Sequence, residues 1–264
     1  MWLSSPTLVL TVAQAGCIAL AAAGLPRWAE RFRGPAWALV LPLSIAVVVG
    51  AIAAIPSTAD GLTWVALILV PVGGALALGW AMHGARAWLA ALAAPLLAIA
   101  WALPDSRLGQ LAAVALIAGS AITAGRLLAG VAPLALLKVG VVAMAVVDSV
   151  LVFSGNLQHP NEILVAAAPG GGLPQLQSAS FAGAGMGYGD FFAAAVVGAI
   201  LAAEGRPRLT PALVMLVAAL CWDQLFLVYD VLPATVPPAL ALIAAEAWSR
   251  RRAARRPPAE LARA

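Results

Sequence analysis

Long apolar runs recur along the whole chain, and they restrict its fold more than any other feature of the sequence. The stretch from Val141 to Phe153, for example, holds a single charged residue. Of the 264 residues, 63% are hydrophobic and 10% are charged, whereas soluble domains are about half apolar and about a quarter charged. A soluble fold would have too few charges to cover its surface. We therefore predict an all-α polytopic membrane protein, and exclude a cytosolic enzyme, a disordered chain and a small secreted module.

Nine spans are predicted from the apolar runs and from the prolines between them. They cover about 3–25, 37–55, 62–82, 88–103, 110–125, 134–154, 178–203, 209–229 and 236–249. Residues 1–130 then form an N-terminal unit of five spans, and residues 131–249 form a unit of four. Residues 250–264 are predicted to be a basic cytoplasmic tail.

The basic residues predict the orientation of these spans. With nine spans, connections 1, 3, 5 and 7 and the C-terminal tail share one side, which holds 14 of the 15 Lys and Arg residues. The remaining one, Arg107, lies on the other side. Basic connections stay in the cytoplasm. We therefore predict a multi-pass protein of the plasma membrane with its N-terminus outside and its C-terminus in the cytoplasm, and assign the net charge of +4 to topology and not to nucleic-acid binding.

Two aspartates lie deep within predicted spans, where charged side chains are costly and usually functional. Asp148 is ten residues beyond Lys138, about 15 Å from the cytoplasmic edge. Asp190 is 14 residues before Glu204, about 21 Å from the same edge. Both fall within the middle half of a core about 30 Å thick, and adjacent antiparallel spans would bring them face to face. Each alone could equally be a structural hydrogen-bonding group or a proton relay.

Glycines alternate along the segment that leads to Asp190. They are Gly183, Gly185, Gly187 and Gly189. Glycine lets helices pack closely and lets a backbone approach a ligand. This segment is therefore predicted to pack against a neighbouring span or to lie beside a peptide substrate.

The residues around the two aspartates resemble a known family. Gly187-Tyr188-Gly189-Asp190 resembles the G-x-G-D motif of the presenilin and signal peptide peptidase family of intramembrane aspartyl proteases. Asp148 resembles that family's first catalytic aspartate, and Pro238-Ala239-Leu240 resembles its P-A-L motif. The order agrees as well, with 42 residues from Asp148 to Asp190 and 48 from there to Pro238.

The resemblance implies a presenilin-like fold with the motifs on spans 6, 7 and 9, and an Asp148/Asp190 dyad that hydrolyses peptide bonds. The predicted substrate-binding residues are Gly187, Tyr188, Gly189, Pro238, Ala239 and Leu240. The cytoplasmic C-terminus matches the signal peptide peptidase branch, so the implied substrates are signal peptides or transmembrane helices within the lipid bilayer. No metal, cofactor or nucleic acid is expected.

Three features depart from the family pattern. The family has Tyr before its first aspartate, whereas this chain has Val147. Tyr229-Asp230 has the Tyr-Asp order but follows the G-x-G-D motif and lies near the outer end of a span, so we assign it no catalytic role. Asp223, within span 8, has no counterpart in the motifs.

Other chemistries fit the sequence less well, and two of them stay open. A zinc protease needs H-E-x-x-H within a span and a serine protease needs a spanning His, but His83 and His159 lie in predicted connections. A prepilin-peptidase-type aspartyl protease also uses a G-x-G-D aspartate. A proton-coupled membrane transporter could use Asp148, Asp190 and Asp223 as relays.

The prolines near the C-terminus predict where the last span begins. Pro237 and Pro238 lack N–H donors and disfavour helix before them, so span 9 is predicted to start inside the membrane. Non-helical backbone at that depth needs a cavity lined by protein or water. The surroundings of Asp148 and Asp190 are the predicted cavity.

Overall fold

The computed structural model describes residues 5–229 and 231–254, and it is mostly helical, at 76%. The α-helices are α1 (Ser5–Leu20), α2 (Val40–Ala54), α3 (Thr58–Leu76), α4 (Ala93–Ala102), α5 (Arg107–Val131), α6 (Leu134–Phe153), α7 (Gln158–Ala166), α8 (Tyr188–Ala203), α9 (Leu209–Trp222) and α10 (Val236–Ala254). Strands β1 (Ser178–Phe181) and β2 (Ala184–Gly187) form an antiparallel hairpin. Short 3-10 segments cover Arg27–Phe32, Pro35–Leu39, Ala87–Leu92 and Asp223–Leu227, and a π-helical turn covers Ala77–Ala81.

The apolar helices are compatible with a membrane protein. By length and composition, four helical stretches of the described residues could cross a membrane: Pro35–Ala54, Thr58–Ala81, Arg107–Val131 and Leu134–Phe153. Each of the nine apolar segments predicted from the sequence overlaps one α-helix, namely α1–α6 and α8–α10.

Helix α8 runs through the centre of the molecule. Its residues from Ala193 to Leu201 are almost entirely buried, and it packs against α1, α5, α6 and α10. Two glycines let neighbouring helices approach it closely. A Cβ at Gly125 of α5 would lie 2.8 Å from the Ala195 carbonyl carbon, and one at Gly198 would lie 2.6 Å from the Ile18 oxygen of α1. A helix that is apolar all round belongs in a core, and α8 is placed accordingly.

The prediction of a helical span over 178–203 is wrong in its first part. Residues before Tyr188 form the β1–β2 hairpin, and α8 begins only at Tyr188. Phe181 pairs with Ala184, and the two turn residues between them both have positive φ, 47° at Ala182 and 90° at Gly183. This is the backbone of a tight two-residue hairpin turn. Alternating glycines weaken a helix by about 1 kcal/mol each, so the strand pairing prevails here.

Two further segments contain helix beyond the predicted spans. The connection 155–177 contains a helix, α7, which the sequence analysis did not predict. The first residues of the predicted tail 250–264 belong to the last helix, because α10 continues through Ala254. Residues 255–264 lie outside the described residues.

Hydrogen bonds join the four predicted basic connections at one end of the molecule. The His83 N–H donates to the Leu20 carbonyl at 2.7 Å, and the Gly34 N–H donates to the Val131 carbonyl at 2.9 Å. The Arg126 guanidinium donates to the Gly24 carbonyl at 2.9 Å and lies over the Trp80 ring at 3.9 Å, and Arg208 donates to the Ala21 carbonyl. Connections 1, 3, 5 and 7 therefore meet at this end.

Candidate functional site

Asp148 lies on the buried face of α6. The buried residues of this helix recur at helical spacing and include Leu137, Val141, Met144, Asp148 and Val152. Such a stripe faces the protein interior. Asp148 is 6% exposed, so its carboxyl group points towards the neighbouring helices and not towards the surroundings.

Asp190 occupies the first turn of α8, directly after the hairpin. Its Oδ2 accepts a hydrogen bond of 3.0 Å from the N–H of Gly187, which is the residue directly before the helix. A carboxylate at this position satisfies a free N–H and interacts favourably with the helix dipole. The G-x-G-D motif is therefore the junction where β2 ends and α8 begins. This hydrogen bond also stabilises the start of α8, which is a structural role that Asp190 would have without catalysis. Experiments on Asp190 variants must therefore separate loss of folding from loss of catalysis.

The two carboxyl groups lie on helices that are in contact with one another. Helices α6 and α8 are in contact, and the Asp148 and Asp190 carboxyl groups lie near enough to interact electrostatically. Within residues 5–229 and 231–254, neither forms an ion pair with Lys, Arg or His. Two close carboxylates without a cation cannot both ionise readily, and such a pair can hold one proton between its members. This arrangement can provide one acid and one base.

The segment that opens α10 touches Asp148. The Thr235 hydroxyl donates to the Asp148 Oδ2 at 2.6 Å, and Thr235 is 1% exposed. Pro237 and Pro238 follow as the second and third residues of α10 and are buried. The predicted P-A-L motif thus begins three residues after a direct contact with Asp148. Its last residue, Leu240, is 43% exposed.

Gln14 of α1 connects Asp190 with the same segment. Its Nε2 donates to the Asp190 backbone carbonyl at 3.1 Å and to the Ala234 carbonyl at 3.0 Å, and the side chain is 1% exposed. Sequence reasoning missed both Gln14 and Thr235. Two features of the sequence could have indicated them. Gln14 is a single amide side chain within an apolar run, and Thr235 is a hydroxyl residue immediately before Val236-Pro237.

The residues of the G-x-G-D motif differ in what they present. Gly187 is exposed at the end of β2, and Gly189 is half-buried beside Met144. A Cβ atom added at Gly189 would lie 3.5 Å from the Met144 Cε. The Tyr188 hydroxyl hydrogen-bonds the Ser120 hydroxyl of α5 at 3.1 Å. Tyr188 therefore anchors the start of α8 on α5, while the two glycines leave the backbone accessible.

A third acid within the apolar segments, Asp223, is not part of this pair. Asp223 is half-buried after α9, and it forms no hydrogen bond or ion pair with any residue in the described ranges. The Tyr229 ring packs edge-to-face on Phe153, with centroids 5.5 Å apart. Asp230 lies outside the described residues.

A group of four charged residues joins the other ends of α6, α8 and α10. Lys138 contacts Glu204 at 2.5 Å and Glu246 at 2.9 Å. Arg206 contacts Glu204 at 3.0 Å and also pairs with Glu246. We call these residues the charged cluster. It lies ten residues along α6 from Asp148, about 15 Å, so the helices that carry the aspartates are tied together at a second level.

Within the described residues, no three His, Cys, Asp or Glu side chains are grouped so that they could hold a metal ion. Comparison of the chain with protein-family models, with curated proteins and with solved structures found no match. The residues of the site itself offer two neighbouring carboxyl groups, one hydroxyl donor and an accessible glycine backbone.

Proposed function

We propose that this chain is an intramembrane aspartyl protease of the presenilin and signal peptide peptidase type, which hydrolyses peptide bonds of transmembrane or signal-peptide helices. The observation that carries the proposal is the approach of Asp148 on α6 to Asp190 on α8, without a neutralising cation among the described residues. The G-x-G-D resemblance and the contact between Thr235 and Asp148 support the same assignment.

Hydrolysis would proceed through a water molecule held between the two carboxyl groups. The ionised carboxylate takes a proton from the water while the protonated one donates to the scissile carbonyl oxygen. The new C–O bond gives a tetrahedral intermediate. The carboxyl group that received the proton then passes it to the leaving nitrogen, and the C–N bond breaks. One hydroxyl of the intermediate returns its proton to the other carboxylate, so that a carboxylic acid and an amine result. One proton remains shared by Asp148 and Asp190, so the pair is regenerated.

The hairpin offers a place for an unwound substrate. A helical substrate has its amides hydrogen-bonded, so it must open locally, and its freed backbone groups need partners. Strand β2 ends at Gly187, three residues before Asp190, and its residues Gly185 and Gly187 are exposed. An extended peptide can add to the free edge of a small sheet through backbone hydrogen bonds. Such a peptide would pass directly beside the two carboxyl groups.

The proposed setting is the plasma membrane, with α1–α6 and α8–α10 as nine spans and the C-terminus in the cytoplasm. Support comes from the hydrogen bonds that gather connections 1, 3, 5 and 7 at one end, and from the basic residues that these connections carry. The charged cluster and the basic end of α10 lie at that end as well. Basic residues concentrate on the cytoplasmic side.

The proposal is tested by cleavage of a model transmembrane peptide. The purified chain is reconstituted in vesicles with the peptide, and the products are identified by mass spectrometry, with and without a chelator. We expect internal cleavage that the chelator does not affect and that the double variant Asp148→Asn/Asp190→Asn lacks. Absence of cleavage by the folded wild-type protein over a panel of such peptides would contradict the proposal, as would cleavage that a chelator abolishes and zinc restores.

A further inference from the structure

A cavity lies between α9 and α10, away from the two aspartates. It measures about 380 Å³ and lies between the first turns of α9 and the part of α10 from Ala241 to Arg252. Thr210, Pro211 and Val214 line one wall, and Ala241, Ala244 and Trp248 line the other. Its mouth lies at the charged end of the molecule, where Arg206 and Arg252 border it. The cavity therefore joins an apolar interior to a basic rim.

The two rim arginines differ in their charge balance. Arg206 is paired with Glu204 and Glu246, so its charge is compensated. Arg252 lies 5.0 Å over the Trp248 ring and forms no ion pair with a carboxylate in the described part of the chain. The rim thus carries positive charge that an anion could neutralise.

An exposed apolar stripe lies on α9 beside the residues that line the cavity. Leu209, Leu213 and Val217 follow one another at four-residue intervals and are 70%, 61% and 60% exposed. Residues at this spacing share one face of a helix. A ligand that neutralises the basic rim and also covers the apolar stripe must have an anionic head and a long apolar chain. A free phosphate or a soluble anion would leave the stripe uncovered.

We propose that this cavity and stripe bind one anionic phospholipid of the surrounding membrane, with its phosphate group at Arg252 and an acyl chain along α9. Basic pockets between helices on the cytoplasmic side are suited to anionic headgroups. The Thr210 hydroxyl borders the same cavity and can donate to a phosphate oxygen. This inference rests on the proposed membrane location and not on the proposed peptide hydrolysis.

Native mass spectrometry of the purified chain in detergent tests the site. Phosphatidylglycerol and phosphatidylcholine are titrated in turn, and the lipid-bound fraction is measured. We expect preferential binding of phosphatidylglycerol, weakened roughly fivefold by Arg252→Gln, in line with the contribution of one basic residue at a membrane surface. The matched control Arg251→Gln, on the same helix but outside the cavity, should bind like the wild type.

A second pair of variants tests the cavity itself. Ala244→Trp fills it, whereas Ala247→Trp places the same side chain on an exposed position of α10 that does not line it. We expect only Ala244→Trp to abolish preferential binding, with inorganic phosphate unable to compete at millimolar concentration. Equal binding of the two lipids, equal binding by Arg252→Gln and Arg251→Gln, or displacement of the lipid by phosphate would overturn the proposal. Because no peptide is present, a protein that cleaves nothing still gives a decisive result.

Discussion

At the scale of single residues, each carboxyl group of the site accepts a hydrogen bond from an uncharged donor. The Thr235 hydroxyl serves Asp148 and the Gly187 N–H serves Asp190. Since neither group has a cationic partner in the described ranges, we expect the pair to reduce its negative charge by keeping one proton. The hydrogen-bond donors and the retained proton together define the state in which catalysis is proposed to start.

The shared proton predicts the pH dependence of cleavage. Below the range in which one proton is shared, both groups are protonated and no base remains. Above it, both are ionised and no acid remains. We therefore expect kcat/KM for a model peptide to fall at both pH extremes, with the same profile in the control variant Asp223→Asn. A rate that changes on one side only would argue against a paired acid and base.

Thr235 is predicted to position Asp148. Thr235→Val keeps the shape of the side chain and removes the hydrogen bond to a carboxylate, and such bonds contribute about 1.5–3 kcal/mol. We expect kcat to fall by roughly tenfold or more and the pH profile to shift, while Thr235→Ser, which keeps the hydroxyl, stays close to the wild type. Equal activity of the Val and Ser variants would remove Thr235 from the site.

At the scale of elements, the site is where three chain segments meet: the hairpin leading into α8, the middle of α6 and the start of α10. The apolar runs of the sequence predict the helices that carry Asp148 and Asp190. The same runs also predict helix over residues 178–187, because apolar content alone does not distinguish a glycine-rich hairpin from a span. The pairing of Ser178 with Gly187 is a tertiary feature, stabilised by packing against α1 and α5.

The prolines that open α10 are predicted to hold its first turn beside Asp148. Pro238→Leu restores an N–H and lets helix extend backwards, which would shift Thr235 and Ala234. We expect a strong loss of cleavage with little loss of folded protein. Pro211→Leu is the matched control, because Pro211 is also buried and also the third residue of its helix. A fully active Pro238→Leu variant would separate this motif from the site.

At the scale of the whole molecule, α6, α8 and α10 are joined at two levels, by the charged cluster at one end and by the aspartate site about 15 Å away. Sequence reasoning located Lys138 and Glu204 near one edge but did not predict that they pair with one another and with Glu246. It also missed the bridge from Gln14, since residues 176 positions apart give no local signal of contact. Periodicity and charge predict the elements, whereas contacts between distant residues follow only from the packing.

The proposed topology predicts which positions are accessible from outside the cell. In a background of Cys17→Ala and Cys221→Ala, single cysteines replace Ala254, at the end of α10, and Glu162, exposed on α7. An impermeant thiol reagent should label the Glu162 position in intact cells and the Ala254 position only after lysis. Labelling of the Ala254 position in intact cells would reverse the orientation.

The most direct test of the account is the cleavage rate of each single aspartate variant. Asp148→Asn and Asp190→Asn keep the size of the side chain and an acceptor oxygen, so the Thr235 and Gly187 hydrogen bonds and the fold should persist. Because the two groups act as a unit, we predict that each variant loses roughly a thousandfold or more, that the double variant loses no more than either, and that Asp223→Asn cleaves at nearly the wild-type rate. Near-normal turnover by either single variant would contradict the dyad.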